Sequence, residues 1–255
     1  MSLIQALILG LVQGLTEFLP VSSSGHLILV PLIFGWKEQP LAFDAVIHLG
    51  TLAAILFALK GDLPKLFEKK CRLGWMIVIA SIPALGIGYV FENEIESVLR
   101  SPLVVVASLI VWGVLLWVGD RFVKPGAASD VKIVGYQRAI FIGIAQAIAL
   151  IPGTSRSGVT ITAGLFAGLS RETAARFSFL LGIPAIAAAG SVSLLGIFEG
   201  TEPVAVMPLA IGFSAAFVSG VIAIRLLLRL LKASTYVPFA VYRIALAVVV
   251  FFLLR

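Results

Sequence analysis

Pro20-Val-Ser-Ser-Ser-Gly25 and Pro152-Gly-Thr-Ser-Arg-Ser-Gly158 decide how this chain is read. Each breaks, near its middle, an apolar run that would otherwise pass for one crossing helix: 1–35 for the first and 138–170 for the second. Two half-length helices around a polar loop predict a re-entrant hairpin, because irregular backbone at membrane depth survives only where protein or a wet cavity covers it. Six further stretches, 41–59, 74–91, 102–119, 173–198, 204–231 and 238–254, are the clearest apolar runs. Each is long enough to cross a bilayer, at ~20 residues per crossing. Composition points the same way: of 255 residues 60% are hydrophobic and only 13% charged, about half the ~25% charged residues of a soluble domain. An all-α integral membrane protein follows. Cys71 is the only cysteine, which excludes a disulfide scaffold, and no His or Cys cluster has zinc spacing. The net charge of +6 reads as topogenic Lys and Arg rather than a nucleic-acid footprint. The N-terminal run lacks the basic start of a signal peptide, since no Lys or Arg precedes Lys37 and Gln5, Gln13 and Glu17 interrupt it. It reads as part of the fold.

Loop charges alternate. Lys60, Lys65, Lys69, Lys70 and Arg72 crowd loop 60–72; Arg121, Lys124, Lys132 and Arg138 lie in loop 120–138; Arg225, Arg229 and Lys232 end the fifth stretch. Between them Glu92, Glu94 and Glu96 accompany Arg100, and Glu199 and Glu202 have no base. The positive-inside rule therefore puts 60–72, 120–138 and 229–238 in the cytoplasm, and 92–101, 199–203 and both termini outside.

A shift of 133 positions superimposes the halves of the chain: Gly10 on Gly143, Gln13 on Gln146, Gly25 on Gly158, Gly35 on Gly168. Ser22-Ser-Ser-Gly25 meets Ser155-Arg-Ser-Gly158, and with one residue of slippage Pro20 meets Pro152 and Leu49-Gly50 meets Leu181-Gly182. The chain thus reads as a single membrane domain, 1–255, with a first half 1–122 and a second half 138–255. Each half is one hairpin plus three spans. Three is odd, so the halves are inverted, an architecture that forms sites where broken helices meet.

An ionisable residue within a membrane segment costs about 2.5–3.5 kcal/mol on insertion scales and needs a reason. Glu17, His26 and Arg156 sit in or beside the broken segments. Gln13 and Glu17, four apart, share a helix face, where a carboxylate could hold a divalent cation, act as a base, or pair with Arg156. Ser22, Ser23 and Ser24 precede one helix, and Ser155 and Ser157 another. Any single serine there reads first as a cap, but two facing helix starts converge free N–H groups on one point and favour an anion. Arg156 at that point can grip a phosphate through two parallel hydrogen bonds. His26, one turn from Ser22 and Ser23, could attack phosphorus or shuttle a proton for a serine that does. His48 reads as a packing residue, and Asp44 as a supporting or interfacial one. The constellation suits phosphoryl chemistry on a substrate arriving from lipid.

Gln13-Gly-Leu-Thr-Glu17-Phe-Leu-Pro-Val-Ser-Ser-Ser-Gly-His26 resembles the first signature, (E/Q)-x-x-x-E with its following serine and histidine, of the bacterial undecaprenyl pyrophosphate phosphatases (the BacA type linked to bacitracin resistance). Pro152-Gly-Thr-Ser-Arg-Ser-Gly-Val-Thr160 matches their second, P-G-x-S-R-S-x-x-T, at every fixed position. Ala175-Arg-Phe-Ser-Phe-Leu-Leu-Gly-Ile-Pro184 is similar to the segment that follows it in the family, and the likeness spans essentially the whole chain. The resemblance implies hydrolysis of undecaprenyl pyrophosphate to undecaprenyl phosphate and inorganic phosphate, recycling the carrier lipid for peptidoglycan synthesis. It implies a divalent cation, Mg2+ or Ca2+, and a place in the bacterial inner membrane. By position, Glu17 serves metal binding or acid–base chemistry, with Gln13 beside it as a second metal ligand. Ser23 and His26 are nucleophile or helper, and Arg156 binds the pyrophosphate. Ser155 and Thr160 add hydroxyls, and Ser22, Ser24 and Ser157 line the same loops. Gln13 departs from the Glu of many relatives: an amide can ligate a metal but cannot be a base, so Glu17 must carry any carboxylate role. Expected partners are the lipid substrate and membrane lipids, with no nucleic acid; a homodimer is left open. Two rivals stand beside the hydrolase, a polyprenyl-phosphate transporter or flippase and a protein that both hydrolyses and flips.

Overall fold

A computed structural model describes residues 1–68, 72–91, 101–123, 130–198 and 205–253, backbone only over 191–198. The acidic loop residues Glu92, Glu94, Glu96, Glu199 and Glu202, together with Arg100, Lys69, Lys70 and Lys124, lie outside the described residues. Among those described, the regular structure is entirely helical: α1 Leu3–Phe18, α2 Ser23–Phe34, α3 Leu41–Ala58, α4 Leu63–Phe67, α5 Leu73–Val90, α6 Pro102–Arg121, α7 Gly135–Ile148, α8 Arg156–Phe166, α9 Arg171–Phe198, α10 Val206–Leu230 and α11 Val237–Leu253, with a 3-10 turn at Val131–Ile133. Local chemistry sets the boundaries. Ser2 and Gln5 form a reciprocal capping box on α1, Gly35 closes α2 in a left-handed conformation, and α6 opens on Pro102, where a missing N–H costs nothing.

Five helices are long and apolar enough to cross a membrane: α3, α5, α6, Arg171–Gly190 of α9, and α10. The chain is therefore a multi-pass membrane protein. The expected sixth span, 238–254, forms α11, which at 17 residues reaches only the lower end of spanning length. The two interrupted runs each yield a pair of shorter helices, of 16 and 12 residues in α1 and α2 and of 14 and 11 in α7 and α8. At 1.5 Å per residue none of the four covers a ~30 Å hydrocarbon core.

Packing relies on small residues, which let helix backbones meet closely where lipid offers no hydrophobic drive. Gly10 and Gly14 of α1 lie against Gly212, Ala215, Ala216 and Gly220 of α10, and Gly50 of α3 lies against Phe213 of the same helix. On the other side Gly143 of α7 abuts Ala80 of α5, and Gly113 of α6 abuts Ala240 and Ile244 of α11. The largest buried cluster surrounds α9, whose Phe179 meets Phe18 edge-on at 5.4 Å. Ion pairs gather the ends of several helices into one face: Asp62 with Lys65 and Arg176, Asp120 with Arg171 at 2.6 Å, and Lys132 with Glu68 at 2.7 Å.

Candidate active site

The α1–α2 and α7–α8 loops adopt the same local structure. Ser22 (φ 76°, ψ 95°) and Ser155 (φ 73°, ψ 111°) both hold positive φ, a region a serine occupies only when its surroundings enforce it, at ~1–3 kcal/mol. Each hydroxyl accepts the amide N–H three residues on, Gly25 at 3.3 Å and Gly158 at 3.0 Å. Each also lies beside the hydroxyl two residues on, Ser24 at 3.4 Å and Ser157 at 3.3 Å. The caps satisfy one N–H per helix start and leave others for an anion. The loops touch directly: Ser157 Oγ donates to the Leu19 carbonyl at 3.2 Å, and the Gly153 N–H to Ser24 Oγ at 3.5 Å.

Glu17 joins the two loops. Its buried carboxylate accepts from Arg156 Nη2 at 2.7 Å through one oxygen, and from Ser23 Oγ at 2.7 Å and Gln13 Nε2 at 3.2 Å through the other. Arg156 is aimed from its far side by the Ser178 carbonyl, 2.8 Å from Nη1. Thr160 braces that arrangement, donating to the Arg156 carbonyl at 2.8 Å and meeting the Ser178 hydroxyl at 2.6 Å. Gly182 makes room, since a Cβ there would collide with the guanidinium. A hydroxyl bonded to a carboxylate that is itself paired with a guanidinium brings within hydrogen-bond reach the group types that a nucleophile, its base and an oxyanion holder require.

His26 does not join this group. Its Nδ1 faces the Ser22 carbonyl at 2.7 Å and its Nε2 the Tyr242 hydroxyl at 2.7 Å, with the two rings parallel. A carbonyl only accepts, so Nδ1 carries the proton, and in the neutral ring Nε2 accepts from Tyr242. Ser23 bonds Glu17 here, and His26 bonds the Ser22 carbonyl and Tyr242. His48, expected only to pack, comes nearer the centre: its Nε2 lies 3.9 Å from Glu17, while its Nδ1 donates to the Asp44 carbonyl at 2.6 Å. Asp44 itself accepts from Gln39 at 3.0 Å.

Arg243, fully buried in α11, is absent from the sequence reading. It donates to the carbonyls of Pro20, Gly153 and Thr154, at 3.2, 3.0 and 2.8 Å, and to Ser108 and Leu109 of α6, each at 3.4 Å. The rule that singled out Glu17 and Arg156, that a charge inside an apolar segment needs a reason, would have found it.

No group of three His, Cys, Asp or Glu side chains occurs among the described residues. The Gln13 Oε1, however, is buried beside Glu17 with no hydrogen-bond partner among them. One carboxylate plus an orphaned carbonyl oxygen fits a hard cation that brings most of its ligands as water and phosphate, as magnesium does.

A family model described as bacitracin resistance protein BacA matches residues 6–249. The chain is 42% identical over 265 residues to an undecaprenyl-diphosphatase of Idiomarina loihiensis, covering 99% of each. It is 43% identical over 263 residues to that of Teredinibacter turnerae, covering 98% of this chain and 99% of that protein. With that of Chromohalobacter salexigens the identity is 43% over 253 residues, covering 94% and 95%.

Proposed function

The chain belongs to the BacA family of bacitracin resistance proteins, and on that premise we propose that it is an undecaprenyl-diphosphatase whose chemistry runs through Ser23, Glu17 and Arg156. The observation that carries the reading is the hydrogen-bonded chain Ser23–Glu17–Arg156, which crosses from one capped loop to the other. Arg156 and the free N–H groups opening α2 and α8 hold the terminal phosphoryl group. Ser23 Oγ attacks that phosphorus and passes its proton to Glu17. The bond from phosphorus to the bridging oxygen breaks, and undecaprenyl phosphate leaves with the electron pair, taking up the proton from Glu17. Glu17 then draws a proton from water as the water attacks the seryl phosphate. The bond from phosphorus to Ser23 Oγ breaks, the oxygen takes that proton back from Glu17, and inorganic phosphate is released. Ser22, Ser24, Ser155, Ser157 and Thr160 keep the two loops in register, and His26 anchors the first of them through the Ser22 carbonyl. A divalent cation, Mg2+ or Ca2+, held by Glu17 and Gln13, would supply charge neutralisation on the diphosphate.

The single membrane domain is read as two inverted halves, 1–122 and 138–255, each with a re-entrant hairpin. Support comes from the matched backbone at Ser22 and Ser155, 133 positions apart, and from exchanged packing, α1 on α10 and α7 on α5. The face joined by the Asp62, Asp120 and Lys132 ion pairs is read as cytoplasmic, since it carries the basic loops. The protein then sits in the bacterial inner membrane and returns the carrier lipid to cell-wall synthesis. A pure transporter reading gives the Ser23–Glu17 hydrogen bond no task. The test is phosphate release from undecaprenyl diphosphate by detergent-purified protein, with and without EDTA, beside R156A. Release that EDTA stops and R156A lacks is the expected result. Folded protein that binds the lipid without releasing phosphate would replace the hydrolase with a carrier.

A further inference from the structure

Arg243 has no task in the reaction just described, yet a fully buried guanidinium in an apolar helix is costly to keep. All the hydrogen bonds recorded for it go to main-chain carbonyls, and among the described residues no carboxylate pairs with it. Those carbonyls belong to three separate segments: Pro20 in the first loop, Gly153 and Thr154 in the second, and Ser108 and Leu109 in α6. We infer that Arg243 is the positioning residue that sets the two serine loops against each other, and that Gly158 provides the clearance its guanidinium requires.

The second half of that inference rests on a separate observation. A Cβ at Gly158 would stand 2.7 Å from Arg243 Nη1, closer than real Cβ atoms come to a neighbour, and also 3.0 Å from Ser155 Cβ. The glycine two residues after Arg156 in the second motif therefore leaves room for a side chain 85 positions away as well as for its own cap. Arginine fits this place for a geometric reason. A guanidinium offers five N–H donors in a rigid plane, enough to reach two loops and a helix together, whereas an ammonium offers three donors around a point.

The inference rests on the proposed function for its kinetic readout only. The experiment compares R243K, G158A and the double variant, purified in dodecyl maltoside and checked for monodisperse elution. R243K keeps the charge and loses the fork; G158A keeps the fork and crowds it. Each is expected to lower kcat for phosphate release about 10²-fold, the scale of a 1 Å misplacement, with KM changed by less than about threefold. Acting on one feature, their losses should not multiply in the double variant. Hydrogen–deuterium exchange supplies a readout independent of activity: segments 19–27 and 152–159 should both exchange faster in R243K. Wild-type kcat in R243K, losses that multiply, or faster exchange in only one loop would overturn the positioning role. If R243K does not fold, G158A decides alone, and unchanged kcat with a Cβ at that position overturns it. A wild-type protein without phosphate release but with the paired exchange response would remove the hydrolase and leave Arg243 in place.

Discussion

Replacing Glu17 with glutamine preserves the shape of the side chain and removes its charge, so structural and chemical losses can be read apart. The carboxylate accepts three hydrogen bonds, from Arg156 and Ser23 at 2.7 Å each and from Gln13 at 3.2 Å. A glutamine retains one accepting oxygen and turns its NH2 towards at least one existing donor. Breaking a buried ion pair by removing one partner costs about 3–5 kcal/mol. Here Arg156 keeps its bond to the Ser178 carbonyl, so the expected cost is at the lower end, about 3 kcal/mol. For a chain of this size that is a fall in Tm of roughly 6–12 °C. The chemical loss is larger, because Ser23 would have no group to take its proton: a missing general base lowers kcat by about 10²–10⁴-fold. Both are measurable on one preparation, by thermal unfolding in detergent and by phosphate release under saturating substrate. A kcat within about threefold of wild type would refute the assignment of Glu17 as base, whatever happens to Tm.

Ser23→Ala removes the attacking oxygen but leaves Glu17 paired with Arg156; kcat should drop about 10³-fold or more, with Tm nearly unchanged, and residual turnover near wild type would return the nucleophile to water. Tyr242→Phe deletes the single hydroxyl facing His26 Nε2. Lost through one neutral hydrogen bond worth about 0.5–1.5 kcal/mol, activity should fall only a few-fold, and a loss as deep as that of Ser23→Ala would make His26 a direct participant. Orientation is tested by cysteine labelling of Lys60→Cys in a Cys71→Ser background: reagent that cannot cross the membrane should reach it only in inverted vesicles, and labelling in whole cells would reverse the topology.

The sequence showed most clearly what one segment can declare alone. Both broken helices were readable because Pro, Ser and Gly crowd 20–25 and 152–158, and the serine caps lie three residues from the amides they satisfy. Glu17 and Arg156 were readable as charges without an excuse. Arg243 carried the same signal and was passed over, because the surrounding run 238–254 averages to an apolar stretch that hides one cation within it. Tyr242 and Ser178 had no local signal at all; their meaning comes from His26 and Arg156, brought beside them by packing alone. The pairing of Ser23 with Glu17 rather than His26 depends on how α1 meets α2 across Leu19 to Ser22, a turn whose positive φ at Ser22 no periodicity predicts. His48 was read as a packing residue because a lone intramembrane histidine usually is one, and its Nδ1 does bond the Asp44 carbonyl; its approach to Glu17 is a property of the α1–α3 contact.

The close seat of α1 against α10 also bears on how the chain is made. The glycine-lined surface of α1 finds its complement only after Val206, roughly 190 residues later, which at about 5–20 residues per second is a wait of about 10–40 s during synthesis. Throughout that interval a helix carrying Gln13 and Glu17 lacks its packing partner, and for roughly its first 140 residues Arg156 has not been made to answer its charge. A ribosome-bound or truncated chain ending before α10 should therefore depend on the insertion machinery to shelter its first helix, and nascent chains of that length are where a chaperone's footprint should be densest.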